Sequence, residues 1–84
     1  MELKEQFEAS IEKGKTLPSQ GNETLLELYG LYKQATVGDV QGDAPSGFDF
    51  RGAAKFAAWE KRRGMTTEEA MHAYIDLIDK LAAG

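Results

Sequence analysis

Eighty-four residues with no cysteine and a formal charge of −4 at pH 7 make one domain, residues 1–84, with a single modest core, no disulfide framework and no thiol nucleophile. The acidic balance excludes nonspecific nucleic-acid binding, whose affinity comes from neutralising phosphates with surplus basic charge. A small anionic ligand then needs a local cluster of lysines and arginines. A domain that does without such staples fits a reducing interior, so a cytoplasmic monomer is expected. Met1 to Phe7 carry acids at helical spacing without an unbroken apolar run, so neither a signal peptide nor stable membrane insertion is expected.

The first predicted helix runs from Glu2 to about Lys15, with Leu3, Phe7, Ser10, Ile11 and Gly14 on one stripe. Early acids and the late Lys13 and Lys15 suit the helix dipole, and Gly14 marks the fraying end. Leu17-Pro18 closes that helix, because the residue before a proline avoids helical dihedrals. Asn22 is the expected N-cap of the second helix, which runs to about Val37 and stops at Gly38-Asp39. On it Leu25, Tyr29, Tyr32, Lys33 and Thr36 share one side, and Leu28, Leu31 and Ala35 the adjacent one. The aliphatic side packs a core. The tyrosine side admits two readings. Its rings are half-buried core residues with wet tips and a snorkelling Lys33, or they form a face for something flat, polar at its edges and negatively charged.

Gly38 to Asp49 is the one long loop. Its length lets the chain travel back along a helix and start again, which makes the second and third helices roughly parallel. Val40, Phe48 and Phe50 are expected to pin it to the bundle. The third helix spans about Phe50 to Arg63, capped by Asp49 and ended by Gly64, and its Ala53, Ala54, Ala57 and Ala58 permit close approach of a neighbour. Phe56, Trp59 and Arg63 share a stripe bordered by Arg51, Lys55 and Arg62. Thr66 and Glu69 form a capping box for a fourth helix from Thr67 to about Ala82, with Ala70, Met71, Tyr74, Leu77, Ile78 and Leu81 on its apolar side. No segment alternates with period two, so the fold class is all-α.

Enzyme chemistry has little to stand on. His72 lies with Asp76 and Asp79 on the polar side of the last helix, and one imidazole there offers neither a second metal ligand nor a nucleophile. The chain has no glycine-rich phosphate loop, cysteine cluster or nucleophile-turn serine. No catalytic residue, metal or cofactor is therefore assigned. The basic residues differ: Lys33 neighbours Tyr29 and Tyr32 on one helix, Lys55 neighbours Trp59 on the next, and parallel packing brings the two borders to one groove. Tyr74 supplies a third wall and Lys15 a further contact. Such a groove suits a ligand with a ring to stack, phosphates to neutralise and an apolar tail. The competing readings are scattered solvated lysines, and a helical protein–protein interaction module whose Tyr29/Tyr32 face docks a protein segment rather than a small ligand.

Tyr29-x-x-Tyr32-Lys33-Gln34-Ala35-Thr36-Val37-Gly38-Asp39, followed by Asp49-Phe50-x-Gly52-x-Ala54-Lys55-Phe56-x-Ala58-Trp59, resembles the acyl-CoA-binding protein family. The likeness continues through Gly64, Thr66 and Glu69 to Ala73-Tyr74-Ile75. It implies a four-helix up-down-down-up bundle with a long crossover between helices two and three, which binds medium- to long-chain fatty acyl-CoA esters for transport and buffering in the cytoplasm and is not an enzyme. By position it implies that Tyr29, Tyr32 and Lys33 meet the adenine and 3′-phosphate, that Lys55 meets another phosphate and Tyr74 the nucleotide, and that Arg51 and Lys15 are further ligand contacts. Leu25 and Leu26 would line the acyl path. Ala53 stands where many members have lysine, and Phe56 where they have tryptophan.

Overall fold

Why four helices form is visible at their ends. In a computed structural model describing residues 2–45 and 49–84, the helices are α1 (Leu3–Gly14), α2 (Asn22–Thr36), α3 (Phe50–Glu60) and α4 (Thr67–Ala83). The Asp49 carboxylate accepts the Gly52 N–H at 2.8 Å and starts α3. The Thr66 hydroxyl accepts from the Glu69 N–H while the Glu69 carboxylate accepts from the Thr66 N–H, so the expected capping box is present. Asn22 is not the N-cap of α2: Gly21 holds that place in extended conformation, and Asn22 is the first helical residue. The third helix also ends earlier than its periodicity predicts. Beyond Glu60 the chain tightens into turns, with Arg63 N–H on the Glu60 carbonyl and Met65 N–H on that of Arg62, so Arg63 leaves the helical stripe.

α1 packs on α4, α4 on α2, and α2 on α3. Residue pairing gives the directions. Phe7 meets Tyr74, while Lys13 reaches Asp79 at 2.9 Å, so α1 and α4 run the same way. Gln34, near the end of α2, bonds the Met65 carbonyl just before α4, so those two are antiparallel. Lys55 lies over Tyr29 and Trp59 beneath Lys33, so α2 and α3 are parallel. The topology is up-down-down-up, in a slab of 40 × 27 × 15 Å.

The core sits between α1, α2 and α4, built from Phe7, Leu31, Ala35, Ala70, Tyr74 and Ile78. α3 contributes no fully buried residue. That explains what becomes of the expected loop pins. Val40 is buried, Phe48 lies outside the described residues, and Phe50 is not a pin at all, being 80% exposed. Among the described residues Phe50 begins a helix that packs on α2 alone, so it has no core to enter.

A buried polar knot replaces aliphatic packing where α2 ends. Gln34 is fully buried, and its Nε2 donates to the Asp39 carboxylate at 2.9 Å and to the Met65 carbonyl at 2.8 Å. The Gly64 N–H donates to the same Asp39 oxygen at 2.9 Å, and Gly64 takes a φ of 95° that a side chain would resist. The Gly64 N–H, the Gln34 amide and the Arg63 charge hold the Asp39 carboxyl below its ordinary value, against a smaller effect of burial. A depressed carboxyl contributes stability that is present above its unfolded pKa and lost as pH falls through the lower folded value. Urea titrations across the acid range should therefore show stability falling as pH drops below about 3.8. Asp39→Asn, which keeps an acceptor oxygen but cannot ionise, should remove that part of the slope. An unchanged slope would place the acid sensitivity elsewhere.

Candidate functional site

The parallel pair α2 and α3 makes a cleft because its seam is built from small residues. Gly30 faces the Ala58 backbone so closely that a Cβ would collide with the Ala58 carbonyl oxygen. Toward the helices' N-terminal ends they leave an opening of about 400 Å³, bedded on Leu25, Leu26, Phe50 and Ala54, with Asn22 at one end and Arg51 and Lys55 at the rim. Leu25 is half exposed and Phe50 more so, an unusual apolar display for a domain with a net negative charge.

The cations cross the seam. Lys33 Nζ stands 5.0 Å from the centroid of the Trp59 ring, and Lys55 Nζ 5.4 Å from that of Tyr29. Both lie within the ~6 Å at which a ring quadrupole attracts an ammonium group. Each lysine thus rests on an aromatic of the opposite helix rather than on its own-helix neighbours, a pairing that spacing along one helix cannot reveal. Trp59 is fixed by donating its indole N–H to the Gly38 carbonyl at 2.7 Å, which ties α3 to the end of α2. The Thr36 hydroxyl donates to the Tyr32 carbonyl, one turn back on α2.

A second aromatic group borders the α2 face. Phe7 stacks on Tyr32 with centroids 6.2 Å apart and meets Tyr74 edge-on at 5.1 Å. Burial first, and then the neighbouring Tyr32 phenol, raises the pKa of the Tyr74 hydroxyl, so it is neutral in the physiological range. Of the residues expected at one groove, Tyr29 and Lys55 are in contact, with Lys55, Arg51, Leu25 and Leu26 along the same cleft, whereas Lys33 lies further along the seam on Trp59. Tyr32 and Tyr74 join through Phe7. Tyr74 is more core than wall, with 8% of its surface exposed. Lys15 is drawn to Glu12 on its own helix at 3.2 Å, although it follows Gly14, whose Cβ position lies 3.9 Å from the Tyr74 hydroxyl. His72 is exposed, and among the described residues no cluster of histidine and carboxylates could hold a metal ion. Sequence reasoning overlooked Phe7 as the bridge between the tyrosines, Phe50 as cleft bed and Gly30 as the seam; only the Phe50/Ala54 spacing carried a usable signal.

Fold and cleft together define an up-down-down-up four-helix bundle with an open, cation-rimmed apolar cleft between its parallel helices. A family model described as "Acyl CoA binding protein" matches residues 4–78. An acyl-CoA-binding protein of Ricinus communis is 52% identical over 82 residues, spanning 96% of this chain and 91% of that protein. Acyl-CoA-binding protein homolog 1 of Caenorhabditis elegans is 44% identical over 75 residues, 89% of this chain and 85% of its own. The crystal structure of Oryza sativa Acyl-CoA-Binding Protein 2 superposes with a TM-score of 0.95 at 46% identity, covering 98% of this chain and 92% of that one. This chain belongs to the acyl-CoA-binding protein family.

Gly30 sets the helix spacing on which the cleft depends. Alanine gains about 1 kcal/mol of helix propensity over glycine, whereas overpacking a tight contact costs about 1–3 kcal/mol. Here the obstacle is backbone, which cannot swing aside. Gly30→Ala should lower the melting temperature by several degrees, since about 1 kcal/mol moves a domain of this size by roughly 4–8 °C. A rise in melting temperature would show that the seam can widen freely.

Proposed function

We propose that this chain binds medium- to long-chain fatty acyl-CoA esters without turning them over, acting as a monomeric cytoplasmic carrier and buffer whose whole length, residues 1–84, is one binding domain. The observation that carries this reading is an apolar bed of Leu25, Leu26 and Phe50 in one cleft, with Lys55 on the Tyr29 ring at its rim and Lys33 on the Trp59 ring further along the same α2–α3 seam. A CoA ester has the complementary parts: a nucleotide to stack, phosphates to neutralise and an alkyl chain to shelter. Tyr29, Tyr32, Lys33 and Lys55 would take the nucleotide and its phosphates, with Tyr74 behind them. Arg51 would add charge at the cleft rim and Lys15 from α1, while Leu25 and Leu26 line the acyl path. Burying the alkyl chain contributes about 25 cal/mol per Å² removed from water, and charge-assisted bonds to phosphate supply orientation. The relatives' names speak of acyl-CoA binding, and the residues that suit it in this chain are those of the cleft.

Among the described residues no nucleophile paired with a base lines the cleft, so release by dissociation fits better than thioester cleavage. Titration calorimetry decides the matter. Palmitoyl-CoA should bind tightly and free palmitate should not, because the nucleotide carries the charge recognition. Lys33→Ala should weaken palmitoyl-CoA binding by roughly 1.5–3 kcal/mol, the usual range for a hydrogen bond to a charged group. A flat titration with palmitoyl-CoA, or liberation of free CoA during incubation, would overturn the carrier reading and leave a helical docking module or an enzyme in its place.

A further inference from the structure

We propose that the back of the α2–α3 pair is a docking groove for an amphipathic helix of another protein, one that carries acids in its first turn and bases in its last. The groove is distinct from the cation-rimmed cleft described above and does not depend on what fills it. Leu26 and Ala54 form the seam and so border both openings. At about 100° per residue, Glu23 and Glu27 fall on the flank of α2 away from Leu25 and Tyr29. On α3, Ala57 and Lys61 likewise fall on the flank away from Lys55 and Trp59, the side chains that meet α2 across the front of the seam. Glu23, Glu27, Ala57 and Lys61 line an opening of about 500 Å³, and none of them lines the front cleft.

Shape admits a helix here. Among the described residues α3 packs on α2 and on no other helix, and two parallel helices leave a groove that a third can fill. Its bed of Leu26, Ala54, Ala57 and Ala58 is low enough for close approach. Charge then selects the sequence and the direction. Tyr29 meets Lys55 and Lys33 meets Trp59, so residues of α2 stand level with those 26 places later on α3, 55 − 29 and 59 − 33 agreeing. On that register Glu23 and Glu27 lie beside the first turns of α3, while Lys61 and Arg62 lie just past its last residue, Glu60. Glu27 and Lys61 are thus roughly 12 Å apart along the axis, about two turns. Among the described residues no ion pair joins these acids to these bases. The Arg62 Nε is enclosed without a hydrogen-bond partner, so the guanidinium gains by turning to an incoming carboxylate. A helix that meets both ends runs antiparallel to α2 and α3, its acids over Lys61 and Arg62 and its bases over Glu23 and Glu27. Acids first and bases last is also the order that the helix dipole favours.

Two stapled helical peptides of about 14 residues test this on the full chain. Both carry a stripe of leucine and alanine; one has glutamates first and lysines last, and the other has glutamates at both ends. Titration calorimetry should find the bipolar peptide at least about tenfold tighter, with the difference shrinking in high salt. Ala57→Trp, which fills the groove at an exposed position, should abolish that binding. Glu23→Lys with Glu27→Lys should invert the preference in favour of the all-acid peptide, whereas the same change of charge on α1, Glu5→Lys with Glu8→Lys, should leave the order as it was. A nitroxide on the first residue of the bipolar peptide should broaden the Lys61 amide and spare that of Glu23. Binding of neither peptide, equal binding of both, an order unmoved by the Glu23 and Glu27 changes, or broadening at Glu23 instead would overturn the docking groove. So would palmitate shifting the Ala57 and Lys61 amides when neither peptide does, which would make the groove a lipid site. Self-association of the chain in sedimentation that Ala57→Trp abolishes would make a second copy the occupant and overturn it as well. The titration of palmitoyl-CoA is a separate measurement, so the carrier reading stands or falls apart from this one.

Discussion

One buried amide holds the architecture in register. Gln34 sits where α2 ends, fully enclosed, and its single NH₂ group joins the Asp39 carboxylate to the Met65 carbonyl. Those partners belong to the crossover and to the turn before α4, segments with no shared hydrophobic face. A buried polar group must be satisfied or it costs about 1–3 kcal/mol, so the chain is committed to the one arrangement that brings both acceptors to it. Its carbonyl oxygen finds no partner among the described residues, which makes the two bonds of its nitrogen the more necessary.

From that knot the consequences run outward. Asp39 also receives the Gly64 N–H, so the same carboxylate anchors the turn that leads from α3 into α4. Gly38, next in line, accepts the Trp59 indole and sets the far end of α3 against α2. The other end of the parallel pair is free to splay around Leu25, Leu26 and Phe50. A helix with no buried residue of its own is thus held by a seam of glycine and alanine and by an indole bond. That division of labour puts the core on one side of α2 and the cleft on the other.

The helices were legible in the sequence wherever the signal was local. The Thr66/Glu69 box, the Asp49 cap and the core stripe of α4 all depend on neighbours within a turn. The parallel α2–α3 pair also followed from the length of the crossover. What escaped was set by partners distant in the chain. Gln34 looks like a polar residue in a basic, aromatic motif, yet its environment comes from residue 65. Phe50 looks like an anchor by hydrophobicity alone, and what makes it cleft bed is that among the described residues α3 packs on α2 and on no other helix. Along a sequence each lysine neighbours the rings of its own helix, because i, i+4 spacing is what a sequence displays. Their real partners lie across a seam whose register depends on Gly30 and Ala58. A motif block thus mixes two kinds of residue, those facing the cleft and those, like Gln34 and Asp39, that hold the scaffold under it.

The crossed lysine–ring contacts bear on how freely the two cations move. An ammonium group on a long flexible stem ordinarily gives up much rotamer freedom when it is fixed by a partner. Here the Trp59 and Tyr29 rings have already taken part of that freedom from Lys33 and Lys55, and they hold Lys55 at the rim of the opening and Lys33 further along the seam. Both cations are therefore in place beforehand, each on a ring of the opposite helix, and keep their hydrogen-bond donors free of that contact.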